Sequence, residues 1–162
     1  MRKTYYFTGA SALFLTIADL AAKYISIHKL SEREEIIVIP HTLSFLLYKN
    51  TGALANIPLP MVVIIPLSVA ILVFCFIYLV QLLIRKSDEQ ASALLIVILG
   101  AIGNLTDRLW NGFTTDYILL FSKSAVNIAD GLILGGLLWF MIASRRRTPQ
   151  KPSELGGQDI NI

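Results

Sequence analysis

Apolar residues run along this chain in four long blocks separated by polar breaks. About 20 consecutive apolar residues in a helix cross a hydrocarbon core. Four windows reach that length, at about 5–25, 61–84, 91–110 and 125–143. Pro66 falls in the first turns of the second window, where a missing N–H does least harm. The polar stretch Arg85-Lys86-Ser87-Asp88-Glu89-Gln90 makes a tight connection between the second and third windows. The pattern changes between the first and second. There, Ile36-Ile37-Val38-Ile39 ends at Pro40, and Leu43 to Tyr48 runs into Asn50-Thr51-Gly52. Short β-branched and apolar runs bounded by turn residues predict strands. The expected fold is therefore an all-α membrane protein: four transmembrane helices, with a small extracytoplasmic β-sheet or loop subdomain between helices 1 and 2. Residues 1–147 form the membrane domain, with the extracytoplasmic segment at 26–60. Residues 148–162, which contain Pro, Gly and Ser, are expected to be a flexible cytoplasmic tail.

Composition agrees with the pattern. The chain has 162 residues, 55% hydrophobic and only 15% charged, with a mean hydropathy of +0.65. A soluble domain carries far more charge on its surface. The basic pI of about 9.1 does not signal nucleic acid, because the basic residues stand at span ends rather than on one face. Instead they set an orientation. Arg2, Lys3, Arg85, Lys86, Arg145, Arg146, Arg147 and Lys151 fall on one side, which the positive-inside rule makes cytoplasmic, with both termini there. The first span opens Met-Arg-Lys like a signal peptide but is too long and carries Asp19 and Lys23, so it reads as a retained helix. Cys75 is the single cysteine and excludes an intrachain disulfide. His28 and His41 lack ligand-like spacing, and neither a metal nor another cofactor is expected.

The remaining polar residues gather at one depth. Asp19 and Lys23 are i,i+4 neighbours at the outer end of span 1, and Asn104 and Arg108 are i,i+4 neighbours at the outer end of span 3. Asn127 and Asp130 stand three apart near the outer end of span 4, with Asp116 and Asn50 in outer segments. Each has a plain alternative. Asp19 and Lys23 can simply neutralise each other, Arg108 with Asp107 can anchor at the headgroups, and the asparagines can bond helices together. Asp130 is harder to explain this way, since its own helix offers no nearby base and an ionisable group in a span is costly. Asp116 and Asp130, brought together by the loop joining their spans, make a candidate carboxyl pair holding one proton. Such a pair can hydrolyse a peptide without metal, serine or cysteine, the ionised member taking a proton from water and the protonated one polarising the carbonyl. Asn104, Arg108 and Asn127 would then hold the substrate or a developing charge. Carboxyl pairs also serve small proton-coupled transporters, which is the competing function from spacing alone.

Five short segments carry a resemblance. Gly103-Asn104-Leu105-Thr106-Asp107-Arg108, Gly112-Phe113-Thr114-Thr115-Asp116-Tyr117 and Val126-Asn127-Ile128-Ala129-Asp130 resemble the GNxxDR, GxxxDF and FNxAD motifs of lipoprotein signal peptidases (signal peptidase II). Asp19 with Lys23 is similar to that family's DQxxK, and Asn50-Thr51-Gly52-Ala53 to its NxGAA. The motifs stand in the family's order. The resemblance implies an aspartic endopeptidase of the bacterial inner membrane, multi-pass, with its active site at the outer leaflet. It would cut diacylglyceryl-modified prolipoproteins on the N-terminal side of the lipidated cysteine, as a monomer among membrane lipid. By motif, Asp116 and Asp130 would be catalytic, and Asn50, Gly52, Asn104, Arg108 and Asn127 would bind substrate. Asp19, Lys23, Ala53 and Asp107 would support them. The chain departs from the pattern at Leu20, at Leu54-Ala55-Asn56, at Val126 and at Tyr117, where the family has Gln, Ala-Phe with a small residue, Phe and Phe. These positions bear on pocket shape and on substrate or inhibitor preference.

Overall fold

The structure is a computed structural model that describes residues 2–52 and 59–146. Ala53, Leu54, Ala55, Asn56 and the expected tail at 148–162 lie outside the described residues. Four helices are long and apolar enough to cross a membrane: α1 (Arg2–Lys29), α2 (Met61–Ile84), α3 (Asp88–Asn111) and α4 (Ile128–Arg145). The four expected spans are all present, and the second has the expected bounds.

α3 is the central helix, touching α1, α2 and α4. Its buried face mixes the small residues Ala91, Ala93, Gly100 and Gly103 and the polar Asn104 and Asp107 with the aliphatic Leu94, Val97 and Ile98. Small residues let membrane helices approach closely, because packing rather than water exclusion holds them together. A Cβ on Gly136 of α4 would lie 2.7 Å from Val97 Cγ2, and one on Gly100 would lie 2.7 Å from the Ala129 carbonyl oxygen. At the end of the bundle that carries Arg85 and Arg145, Gln90 Nε2 donates to Ser144 Oγ at 2.9 Å and ties α3 to α4. α2 differs, burying only Ile64, Leu79 and Leu82 and leaving its other faces as the apolar surface a bilayer covers. Gly112 ends α3 in the left-handed conformation (φ 77°), its N–H donating to the Arg108 carbonyl.

The sheet differs from expectation in its composition. β1 (Ile36–Ile39) and β2 (Leu43–Asn50) lie between α1 and α2 as the run pattern predicts. Two further strands, β3 (Thr114–Leu120) and β4 (Ser124–Val126), come from the connection between α3 and α4. All four pair antiparallel in the order β1-β2-β3-β4. Residues 125–126, expected to open the fourth span, are therefore strand, and α4 begins at Ile128. The physical reason is Asn127, whose extended backbone (φ −134°, ψ 174°) and side chain cap the helix. The β2–β3 ladder places Tyr48 opposite Asp116 and Asn50 opposite Thr114. Asn50 is thus a diagonal, same-face neighbour of Asp116.

Candidate active site

Asp116 and Asp130 come from different elements, the one on β3 and the other at the third position of α4. With the fourth span expected to open at 125, Asp130 would stand beyond its first turn, but it lies in the first turn because α4 starts at Ile128. Asn127 and Asp130 form a capping box. The Asn127 side chain accepts from the Asp130 N–H at 2.9 Å, and Asp130 Oδ2 accepts from the Asn127 N–H at 3.2 Å. The same asparagine donates through Nδ2 to Asp116 Oδ1 at 2.6 Å. One residue therefore bonds both carboxyl groups.

Two more asparagines complete the donor set. Asn104 Nδ2 donates to Asp130 Oδ1 at 2.8 Å, and Asn50 Nδ2 donates to Asp116 Oδ2 at 3.1 Å. The orientation of each amide is itself fixed. Gly52 N–H donates to Asn50 Oδ1 at 3.0 Å, and Lys23 Nζ donates to Asn104 Oδ1 at 2.7 Å. With its oxygen held by a donor, each amide presents its NH2 group to a carboxylate. Burial above all, and then the charge of Asp130, push the Asp116 carboxyl up to about 6, against the opposing hydrogen bonds from Asn50 and Asn127.

Behind Asn104 lies a second charged group. Lys23 Nζ stands 2.9 Å from Asp19 Oδ2 and 3.7 Å from Asp107 Oδ2, with all three side chains almost fully buried. Asp107 also accepts from the Thr115 N–H, the Thr115 hydroxyl and Asn111 Nδ2. These inward bonds differ from the plain alternative in which Asp107 and Arg108 anchor at the headgroups. The half-buried Arg108 reaches Ser68 Oγ of α2 through Nη1 at 3.4 Å. It forms no salt bridge with Asp116 or Asp130 among the described residues.

The sequence reading did not include Thr115 or Tyr117 among the site residues, and treated Tyr117 only as a departure from phenylalanine. Tyr117 Oη donates to Asp19 Oδ1 at 3.0 Å and accepts from the Ile128 N–H at 3.4 Å. Burial first, and then Asp19, push its phenol above the ordinary tyrosine range. The polar substitution itself, in a strand otherwise turned inward, was the available signal.

The family described as Signal peptidase (SPase) II matches residues 11–146. A lipoprotein signal peptidase of Streptomyces coelicolor is 32% identical over 149 residues, covering 86% of this chain and 71% of the relative. One from Staphylococcus aureus is 27% identical over 153 residues, covering 90% of this chain and 94% of the relative. A bacterial membrane enzyme solved at 2.3 Å resolution superposes with a TM-score of 0.76 at 26% identity, covering 95% of both chains. A second such structure, at 1.9 Å, gives a TM-score of 0.72 at 26% identity. With four spanning helices, a shared fold over nearly the full length and a family match that runs from α1 to the end of α4, the chain belongs to the signal peptidase II family.

Proposed function

We propose that this membrane protease of lipoprotein signal-peptide processing is an aspartic endopeptidase with Asp116 and Asp130 as its catalytic pair. It cleaves diacylglyceryl-modified prolipoproteins on the N-terminal side of the lipidated cysteine. The observation that carries the reading is the double engagement of Asn127, at 2.6 Å from Asp116 Oδ1 and 3.2 Å from Asp130 Oδ2. Two carboxyl groups held on one asparagine, with nitrogen donors and no paired cation, favour a singly protonated state. The ionised oxygen removes a proton from water as that water attacks the scissile carbonyl. The protonated carboxyl gives its proton to the carbonyl oxygen, and the tetrahedral intermediate collapses as the leaving amine is protonated. The two groups titrate together and are best described as a pair.

Asn50, Asn104 and Asn127 have donor and acceptor capacity to hold a peptide backbone beside the pair. Gly52 orients Asn50, and the Arg108 guanidinium, which makes no salt bridge among the described residues, is available to a substrate carbonyl or a developing charge. Basic residues Arg85, Lys86, Arg145 and Arg146 at the opposite helix ends support cytoplasmic termini and a site at the outer leaflet of the bacterial inner membrane. The scissile bond of a lipid-anchored precursor lies at that interface. A proton-relay transporter would want polar groups through the full membrane depth, whereas the site groups cluster at one end of the bundle. Purified protein should cleave a lipidated precursor and leave the unlipidated form intact. Equal cleavage of both would sink the lipid-dependent reading.

A further inference from the structure

The first N–H groups of a helix have no partner within it. In α4 two of them are satisfied by other elements. The Ile128 N–H donates to Tyr117 Oη at 3.4 Å, and the Ala129 N–H donates to Asp19 Oδ1 at 3.2 Å. The third, on Asp130, goes to Asn127 Oδ1. Tyr117 is only 5% exposed, and its hydroxyl also donates to Asp19 Oδ1. The strand and the helix are thereby bonded to one another and to α1 at one point.

Tyr117 follows Asp116 directly on β3, so their side chains leave opposite faces of the strand. The same strand presents one carboxyl to the candidate site and, from its other face, a hydroxyl to the helix that carries the second carboxyl. Asp19 closes the arrangement from behind. Its other oxygen meets Lys23, which holds Asn104, which donates to Asp130. We propose that Tyr117 is a positioning residue that fixes the separation of Asp116 and Asp130 by pinning β3 to the first turn of α4. The inference rests on the reading of the two aspartates as the catalytic pair. A phenylalanine here fills the same space but leaves the Ile128 N–H without its acceptor and frees the strand to shift against the helix. Catalytic groups displaced by fractions of an ångström lose rate without losing affinity.

The test uses the full chain with a lipidated precursor. Tyr117→Phe should lower kcat about tenfold or more and leave KM within about twofold, because the hydroxyl does not face substrate. The second variant is Tyr117→Phe with Ile128→Pro. Proline suits the first helical position and removes the orphaned N–H, so the melting temperature should recover while kcat stays low. A kcat within about twofold of the parent in Tyr117→Phe overturns the proposal. Recovery of kcat together with melting temperature in the double variant also overturns it, because the hydroxyl would then act through stability alone. Asp130→Asn is the control for the underlying reading. An inactive Asp130→Asn beside a fully active Tyr117→Phe removes only the positioning role, while an active Asp130→Asn removes the catalytic pair itself.

Discussion

Asn104 stands between two groups of buried carboxylates that are handled in opposite ways. On one side, Asp19 and Asp107 flank the ammonium of Lys23, at 2.9 and 3.7 Å, and their remaining oxygens take backbone, hydroxyl and amide donors. On the other, Asp116 and Asp130 meet only asparagine amides and one backbone N–H at their oxygens. The first group is compensated and joins α1 to α3. The second is left with two acidic groups and no salt bridge among the described residues, an arrangement whose cost is lowered by retaining a proton. On the proposed reading, the same residue type at the same end of the bundle serves structure where a lysine reaches it and chemistry where none does.

The largest effect should separate the two groups by activity. Asp116→Asn and Asp130→Asn should each lower cleavage of a lipidated precursor by at least about 10³-fold without unfolding the protein. Asp107→Asn should keep activity within about tenfold, since it leaves the proposed reacting groups in place. Equal losses in all three would dissolve the distinction. Stability should separate them the other way. Lys23→Met leaves two buried carboxylates uncompensated and should cost about 3–5 kcal/mol in denaturation measurements. Adding Asp19→Asn should recover part of that loss, and no recovery would mean Lys23 acts mainly through packing.

A smaller effect concerns pH. The Asp116 carboxyl is raised to about 6 in the folded protein from the ordinary 3.8, so between these values the folded state holds a proton the unfolded state has lost. The stabilisation from Asp116 is therefore fully present below about pH 4 and is lost as pH rises through about 6, amounting to at most about 3 kcal/mol. Melting curves from pH 4 to 7 should show this decline, and Asp116→Asn should flatten it. An unchanged slope in that variant would place the titration elsewhere. The smallest effect belongs to the Lys49–Glu32 pair, which is close at 2.6 Å but 40% and 54% exposed. Glu32→Gln should change stability by about 0.5 kcal/mol or less, and a loss like that of Lys23→Met would show that solvent exposure is not what divides these contacts.

The candidate site was legible where it depended on local spacing. Asp19 and Lys23 meet because i,i+4 residues share a helix face, and Asn127 with Asp130 forms a box because three residues separate them. β1 and β2 were visible as apolar runs ended by Pro40 and by Asn50-Thr51-Gly52. β3 and β4 were not, because Thr114 to Val126 read as a loop and the opening of a span. β3 becomes a strand only by pairing with β2, and β4 by pairing in turn with β3, partners that no local spacing announces.

By itself the sequence determined that there are four spans, that the site residues gather at one end of them, and which motifs identify the family. These are properties of composition, period and short spacing, which a chain carries before it folds. Only the tertiary structure decided which carboxylates meet a cation, and that Asn127 engages both Asp116 and Asp130. It also gave Tyr117 a partner 98 positions away in Asp19. A hydrogen bond requires atoms within about 3 Å, and across such distances in sequence only the packed path of the helices and the sheet can set that separation.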